Sequence, residues 1–454
     1  MARQSGGFHA GRLEAPAAPP PGLAARVAAA RAVAEALTLS RPLDERLAAD
    51  LTQQRGGLDP RDRALARSIA TVALRRLGTI RKALAQRLEK GMPKRCGALE
   101  WTLIVATAQI LFLDTPDHAA VDLAVKAARA EPASAPFAGL ANAVLRAIAR
   151  DREAILASSD PFDDDTPAWL AQRWRSTYGE SVARAIALAH RSEPTLDLSV
   201  KSDAEGWAER LGGIVLPTGS VRLDTHAPVA ELQGYAEGEW WVQDAAAALP
   251  ARLLRLHAGM RVADLCAAPG GKAAELAAAG VDLTTVDRSA ERLKLLAANF
   301  ARLRLTSEIV VADALTFDMA PFDAVLLDAP CLATGTIRRH PDAAWIKRPG
   351  DLNPLVKLQA ELLDKAIALT RPGGSIVYCV CSLEPDEGQA QIAAALRRNP
   401  DVRRLPVAAE EIGGLAECVT PAGDLRTLPS HLWGDNPRRS GLDGFFAARL
   451  VKTN

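Results

Sequence analysis

Residues 264–272, Asp-Leu-Cys-Ala-Ala-Pro-Gly-Gly-Lys, follow an apolar stretch and open a helical pattern. Residues this small let a backbone approach a ligand closely, and the helix start supplies free N–H groups. The run is not a phosphate P-loop: Cys266 stands five positions before Gly271, and Ala273 replaces Ser or Thr. Such a loop gains weight from the acidic residues that close the next three apolar strands, Asp287, Asp313 and Asp328. Asp287 suits the two hydroxyls of a ribose, and Asp313 is positioned to meet an adenine amino group. One carboxylate at a strand end is ordinarily a cap or turn residue. Three in successive units after a Gly-rich first turn argue for an adenosine-type ligand. The six cysteines form no disulfide framework, and without a CxxC and with scattered histidines no metal site is expected.

These residues need a scaffold that presents strand ends on one edge. From about Gln243 onward the pattern supplies it. Apolar strands are expected at 261–265, 283–286, 309–311, 324–327 and 375–380, with helices at 272–279, 290–303, 355–370 and 387–398. Strands alternating with helices imply a mostly parallel, doubly wound α/β sheet that binds ligands at the carboxyl ends of its strands. Upstream, Leu23 to about Arg152 reads as helix throughout, with segments at 23–37, 43–51, 61–77, 79–90, 99–113, 119–130 and 137–149. Gly78, Gly91-Met92-Pro93 and Thr115-Pro116 are read as stops. Between lie an acidic linker, 160–165, and a small α+β piece with helices at 167–178, 181–190 and 204–211 and a strand at 196–200. The expected division is a flexible tail over 1–22, an all-α domain over 23–155, an α+β subdomain over 160–225 and an α/β domain over 226–454. A length of 454 residues agrees with about three domains at roughly 150 residues each.

The composition, 48% hydrophobic and 24% charged, excludes general disorder, collagen and coiled coil. The longest apolar run, Trp101 to Leu113, has 13 residues, short of the ~18 a membrane span needs. No secretory h-region is seen, so a reducing cytoplasmic setting is expected. The net charge of +1 hides a division. Residues 1–155 carry 23 basic and 15 acidic side chains, the remainder 32 and 39. Residues 61–95 hold eleven basic side chains against Asp62 and Glu89. A solvated helical face explains some of this. A phosphate-binding face that includes Arg75, Arg76, Arg81 and Lys82 explains more.

DLCAAPGGK (264–272), DAPC (328–331) with GTIRRHPD (335–342), and YCVCSLEPDEG (378–388) resemble, in order and spacing, three signatures of Sun-type RNA (cytosine-5)-methyltransferases. WVQDAAAA (241–248) resembles the segment before the cofactor loop, and SGLDGFFAARL (440–450) the last sheet strand. HAAVDLAVKAAR (118–129) and FAGLANAVLR (137–146) are similar to the NusB-type RNA-binding fold. That pairing marks the bacterial branch acting on small-subunit ribosomal RNA. The resemblance covers about residues 23–451. It implies a NusB-like helical domain, a small α+β domain and a Rossmann-like methyltransferase domain. The cofactor implied is S-adenosylmethionine, held by Cys266, Ala267, Ala268, Pro269, Gly270, Gly271, Lys272, Asp287, Asp313 and Asp328. The partner implied is ribosomal RNA, entered at a single-stranded or flipped cytosine, with no membrane or metal, by a chain expected to act as a monomer.

Carbon 5 of cytosine is a poor nucleophile. A thiolate adding to carbon 6 activates it, which divides one difficult step into two easier ones. By family pattern Cys381 attacks, Cys331 helps release product, and Asp328 acts as general acid at N3. Lys272 serves either the cofactor loop or the active-site carboxylate, and the sequence leaves both open. Cys379, two residues before Cys381, faces the same side of a regular strand, so it is a second candidate thiol. Cys96 and Cys418 are read as buried and inert. Arg338, Arg339 and His340 are expected to touch the RNA backbone beside the target base. Three rivals are a non-catalytic assembly factor, a DNA cytosine-5 methyltransferase and a small-molecule methyltransferase. The paired cysteines oppose the first, the NusB-like domain and Cys381 the second, and the upstream domains the third.

Overall fold

In the computed structural model, residues 20–45, 47, 58–225, 227–319 and 321–453 are described. Most of the expected tail, most of the expected 43–51 helix, and His226 fall outside them. The helical domain is organised around Leu99–Phe112, whose Leu103, Ile104, Val105 and Ile110 are all buried. A helix apolar on every side must be surrounded. Helices Leu23–Leu39, Pro60–Arg75, Leu77–Ala85, Asp117–Ala130 and Ala138–Arg150 do this and share one core. Asp59 caps the second of these through the Asp62 N–H, with Pro60 in the first turn.

Gly78 is not the stop its sequence position suggested. It lies inside Leu77–Ala85, and the break falls at Arg76. A Cβ on Gly78 would sit 1.6 Å from the Asp164 carbonyl oxygen. The glycine therefore lets the acidic linker pass against the helix.

That linker also corrects the basic face. Asp165 pairs with Arg76 and Arg191 and accepts from Thr79, and Asp164 accepts from Lys82. Arg76 and Lys82 are thus directed at the linker, because its carboxylates reach them from a distant part of the chain. Arg75 is buried and donates to the carbonyls of His190, Ser192 and Arg338. Burial pulls its pKa down to about 10. Its role is to join domains, and it is not a surface phosphate contact. Arg81 is exposed.

The middle portion differs in extent from the sequence division. Its four antiparallel strands β1 (Leu196–Val200), β2 (Ile214–Val215), β3 (Val221–Leu223) and β4 (Trp240–Val242) run in the order β2-β3-β1-β4. Strand β4 comes from residues assigned to the catalytic domain, so this subdomain reaches Val242. A three-residue strand shows no alternation to read. What fixes it is Trp240, buried with Trp207, Leu198 and Leu223. Helices Ala168–Tyr178 and Glu180–Arg191 pack with Phe162 against Ile337, Ala343, Leu383 and Leu428 of the catalytic part.

The catalytic sheet contains β5 (Arg261–Leu265), β6 (Asp282–Asp287), β7 (Glu308–Val311), β8 (Phe322–Asp328), β9 (Thr370–Val380), β10 (Val402–Arg404), β11 (Leu425–Arg426) and β12 (Phe446–Lys452). Its order is β10-β12-β9-β8-β5-β6-β7, with β11 also on β12. Strands β5 to β9 are parallel, as the strand–helix alternation predicts, and β12 runs antiparallel to β9. Apolar clusters cover both faces of this sheet, as parallel sheets require.

Among the described residues, the helical domain meets the catalytic part at residues 338–345. The Leu43 N–H donates to Asp342, His340 pairs with Asp44 at 3.4 Å, Arg75 holds the Arg338 carbonyl, and Trp345 Nε1 donates to the Leu74 carbonyl. Arg75→Met removes donors from three carbonyls. It is expected to cost about 3 kcal/mol, read as a lowered denaturant midpoint with the slope unchanged.

Candidate active site

Strands β8 and β9 are adjacent and parallel, with Asp328 opposite Cys379. That register brings together residues some 50 positions apart. Beyond the strand ends, Cys331 Sγ and Cys381 Sγ lie 3.4 Å apart. Lys272 Nζ donates to Asp328 Oδ2 at 2.8 Å, and Cys379 Sγ to Asp328 Oδ1 at 3.5 Å. Lys272 comes from the helix Gly271–Ala278, whose start is Gly270 at φ +107°. A Cβ there would meet Leu296 at 2.9 Å, so only glycine suits both the backbone and the packing.

Loop 266–271 separates two cavities. One, of about 440 Å³, is lined by Asp264, residues 267–272, Asp328, Cys381 and Phe445, and across from them by Tyr235 and Trp241–Asp244. It opens between the small antiparallel sheet and the catalytic sheet. The other, of about 100 Å³, is lined by Cys266, Asp287, Asp313, Arg292 and Pro330. Asp287 accepts the Ala268 and Ser289 N–H groups, and Asp313 accepts that of Leu315. Both carboxylates thus shape their turns as well as walling the cavity.

Of the three thiols near Asp328, only Cys381 lines the larger cavity. Cys379 is fully buried, and burial pushes its pKa well up. Cys331 is held above the ordinary thiol range by its hydrogen bond with Cys381 and by burial. Burial alone would lower the Lys272 pKa, but Asp328 and the neighbouring thiols outweigh it and keep the ammonium charged. Burial raises Cys266 to about 12. Cys96 and Cys418 are buried.

Asp264, the penultimate residue of β5, has no exposed surface, and neither carboxylate oxygen has a hydrogen-bond partner among the described residues. Burial, then repulsion from Asp328, pushes its pKa well above the usual carboxylate range. An uncompensated buried acceptor of this kind fits a cationic group in the adjoining cavity.

The three residues after the Pro-Cys turn separate. Arg338 is buried, donates to the Ser440 carbonyl and faces Asp244 and Asp443. Its expected RNA contact is therefore corrected: the guanidinium is enclosed by protein acceptors. Arg339 lines the larger cavity while paired with Asp197, Asp244 and Asp443. His340 lines it too, and its hydrogen bond with Asp44 raises its pKa. Sequence reasoning gave no role to Phe445, whose ring centroid lies 4.9 Å from Lys272 Nζ, or to Asp443. The available signal was their place in SGLDGFFAARL, directly before the β12 strand.

Residues 251–451 match the family model 16S rRNA methyltransferase RsmB/F, and residues 23–150 the NusB family. The ribosomal RNA small subunit methyltransferase B of Xanthomonas campestris pv. campestris is 38% identical, covering 95% of this chain and 98% of its own. Its counterpart from Vibrio cholerae is 35% identical, covering 83% and 90%. The crystal structure of PH0851 has the same fold over 96% of this chain and 99% of its own, with a TM-score of 0.71 at 22% identity. The methyltransferase signatures at the strand ends, the helical domain ahead of them and the near full-length likeness agree: this chain belongs to the RsmB/F family of 16S rRNA methyltransferases.

Proposed function

We propose that this chain methylates carbon 5 of a cytosine in small-subunit ribosomal RNA, with Cys381 as nucleophile and S-adenosylmethionine as methyl donor. The observation that carries the assignment is that Cys381, alone among the three clustered thiols, stands on the wall of the larger cavity. S-adenosylmethionine supplies an electrophilic methyl group on a sulfonium. The orphaned Asp264 carboxylate suits its ammonium, and Asp287 and Asp313 beside the smaller cavity suit its nucleoside.

The chain's own groups divide the work. The Cys381 thiolate adds to C6 of an unstacked cytosine, and the π pair of the C5=C6 bond moves to C5, delocalised toward N3, where it can attack the methyl group. Asp328 bonds the N3 edge, while Lys272 holds Asp328 and keeps a positive charge beside the thiols. After C5 carries the methyl group, its proton leaves to solvent, and that C–H electron pair forms the C5=C6 bond as the C6–S bond breaks and its pair returns to Cys381 as thiolate. Cys331 keeps its proton and donates it as a hydrogen bond to the departing sulfur. Arg339 and His340 at the cavity wall, and Arg81 on the helical domain, are assigned to RNA. Work on ribosomal RNA agrees with a cytoplasmic enzyme.

Tritium transfer from labelled S-adenosylmethionine to 16S rRNA, with bisulfite sequencing of the product, tests this reading. One new 5-methylcytosine in RNA is expected and none in DNA. Label in DNA, or at another atom of the base, overturns it.

A further inference from the structure

Cys331 sits on a turn rather than a strand, so something must fix its sulfur against Cys381. The turn is gripped on both sides. On one side, the Leu332 N–H donates to both carboxylate oxygens of Glu387, at 3.0 and 3.3 Å. On the other, Gln359 Nε2 donates to the Pro330 carbonyl at 2.9 Å and to Glu387 Oε1 at 2.8 Å. Both Glu387 and Gln359 are fully buried. Their own places are fixed in turn. Gln391 donates to Gln359 Oε1, and the Tyr378 hydroxyl donates to the Glu387 carbonyl at 2.6 Å.

A fully buried carboxylate is costly unless its acceptors are used. Burial pushes the Glu387 pKa up, while Ser382, Gln359 and the Leu332 N–H pull against it. Packing alone would be served by a buried apolar residue. What glutamate adds is two acceptors that tie together the residues flanking Cys331. Glu387 itself follows Cys381 by six positions, so one side chain links the two cysteine turns.

We infer that Glu387, with Gln359, is a positioning residue for Cys331, required for release of the methylated RNA and not for the attack by Cys381. The inference rests on the reading above that Cys331 assists release. Glu387→Gln keeps the shape, but with its oxygen at the Oε1 position, where Gln359 and Leu332 both donate, it turns an amide N–H against the Leu332 N–H in place of the second acceptor. The turn then loses register, and small misplacements of reacting groups cost up to about 100-fold.

The test uses the full chain, 16S rRNA and S-adenosylmethionine, with Cys331→Ala in parallel. For Glu387→Gln, single-turnover adduct formation is expected within about threefold of the parent, while steady-state turnover falls roughly tenfold or more and adduct accumulates. Gln359→Leu, which frees only the Pro330 side, is expected to show the same split to a smaller degree. Adding Glu387→Gln to Cys331→Ala is expected to cost nothing further in turnover. Parallel loss of adduct formation and turnover in both variants, or losses that multiply in the double variant, overturns the inference. If Cys331→Ala itself accumulates no adduct, the reading of Cys331 fails instead, which is a separate result.

Discussion

Replacing Cys331 by Ala is expected to leave the enzyme joined to its RNA, while replacing Cys381 by Ala abolishes methylation. The two outcomes follow from a 3.4 Å sulfur–sulfur contact in which only one thiol faces the larger cavity. Without Cys381 no bond to C6 forms, and a loss of about 10⁴-fold or more is the usual scale for a missing nucleophile. Without Cys331 the addition still proceeds, since Cys381, Asp328 and Lys272 remain in place. The departing sulfur then lacks its donor, so the adduct persists. Denaturing gels with end-labelled rRNA read this directly: a retarded, protease-sensitive RNA band for Cys331→Ala and none for Cys381→Ala. The reverse pattern would assign the attack to Cys331. An adduct in both single variants that is lost when Cys379→Ala is added would assign it to Cys379.

Lys272→Met is expected to lower turnover by about 10²- to 10³-fold, the scale on which a preorganised charge acts in a site closed to water. Lys272 is the cation on the Asp328 carboxylate, at 2.8 Å, and it also pulls the Asp264 pKa downward. With methionine there, Asp264 and Asp328 repel each other without relief, and the thiolate at Cys381 loses its neighbouring positive charge. The linkage at Asp264 has a definite sign. Its folded pKa lies well above the carboxylate range, so the stability it contributes is present in acid and is lost as pH rises through that folded value. Removing Lys272 raises the pKa further and moves this loss to higher pH. A pH series of steady-state rates and unfolding midpoints checks both statements. A rate loss below about threefold would leave Lys272 as a loop support alone.

Much of this site was legible because a parallel sheet places its strand ends together. Asp287 and Asp328 each close an apolar run, and the β8–β9 pairing that unites Cys331 with Cys381 joins two strands whose sequences announce themselves. The contacts that remained hidden are made across long separations. Eleven basic residues in 61–95 could be counted, but a count does not say where each long side chain goes. Arg75 is spent on the Arg338 carbonyl, 263 positions away, and Arg76 and Lys82 on the linker carboxylates. Gly78 looked like a helix stop because local propensity is all a sequence window contains, whereas its reason is a carbonyl 86 positions on. Strand β4 went unseen because three residues carry no period. Glu387 and Gln359 lay within or near recognised segments, but their purpose depends on which backbone groups they meet.

The grip of the helical domain on residues 338–345 also bears on how the chain is made. Synthesis delivers residues 23–155 well before the Pro-Cys turn, and domains ordinarily fold in that order. Leu43, Asp44, Leu74 and Arg75 are then already arranged when Arg338, His340, Asp342 and Trp345 emerge. The late segment meets a finished template, so the most demanding loop of the enzyme is cast against a surface built earlier by the same chain.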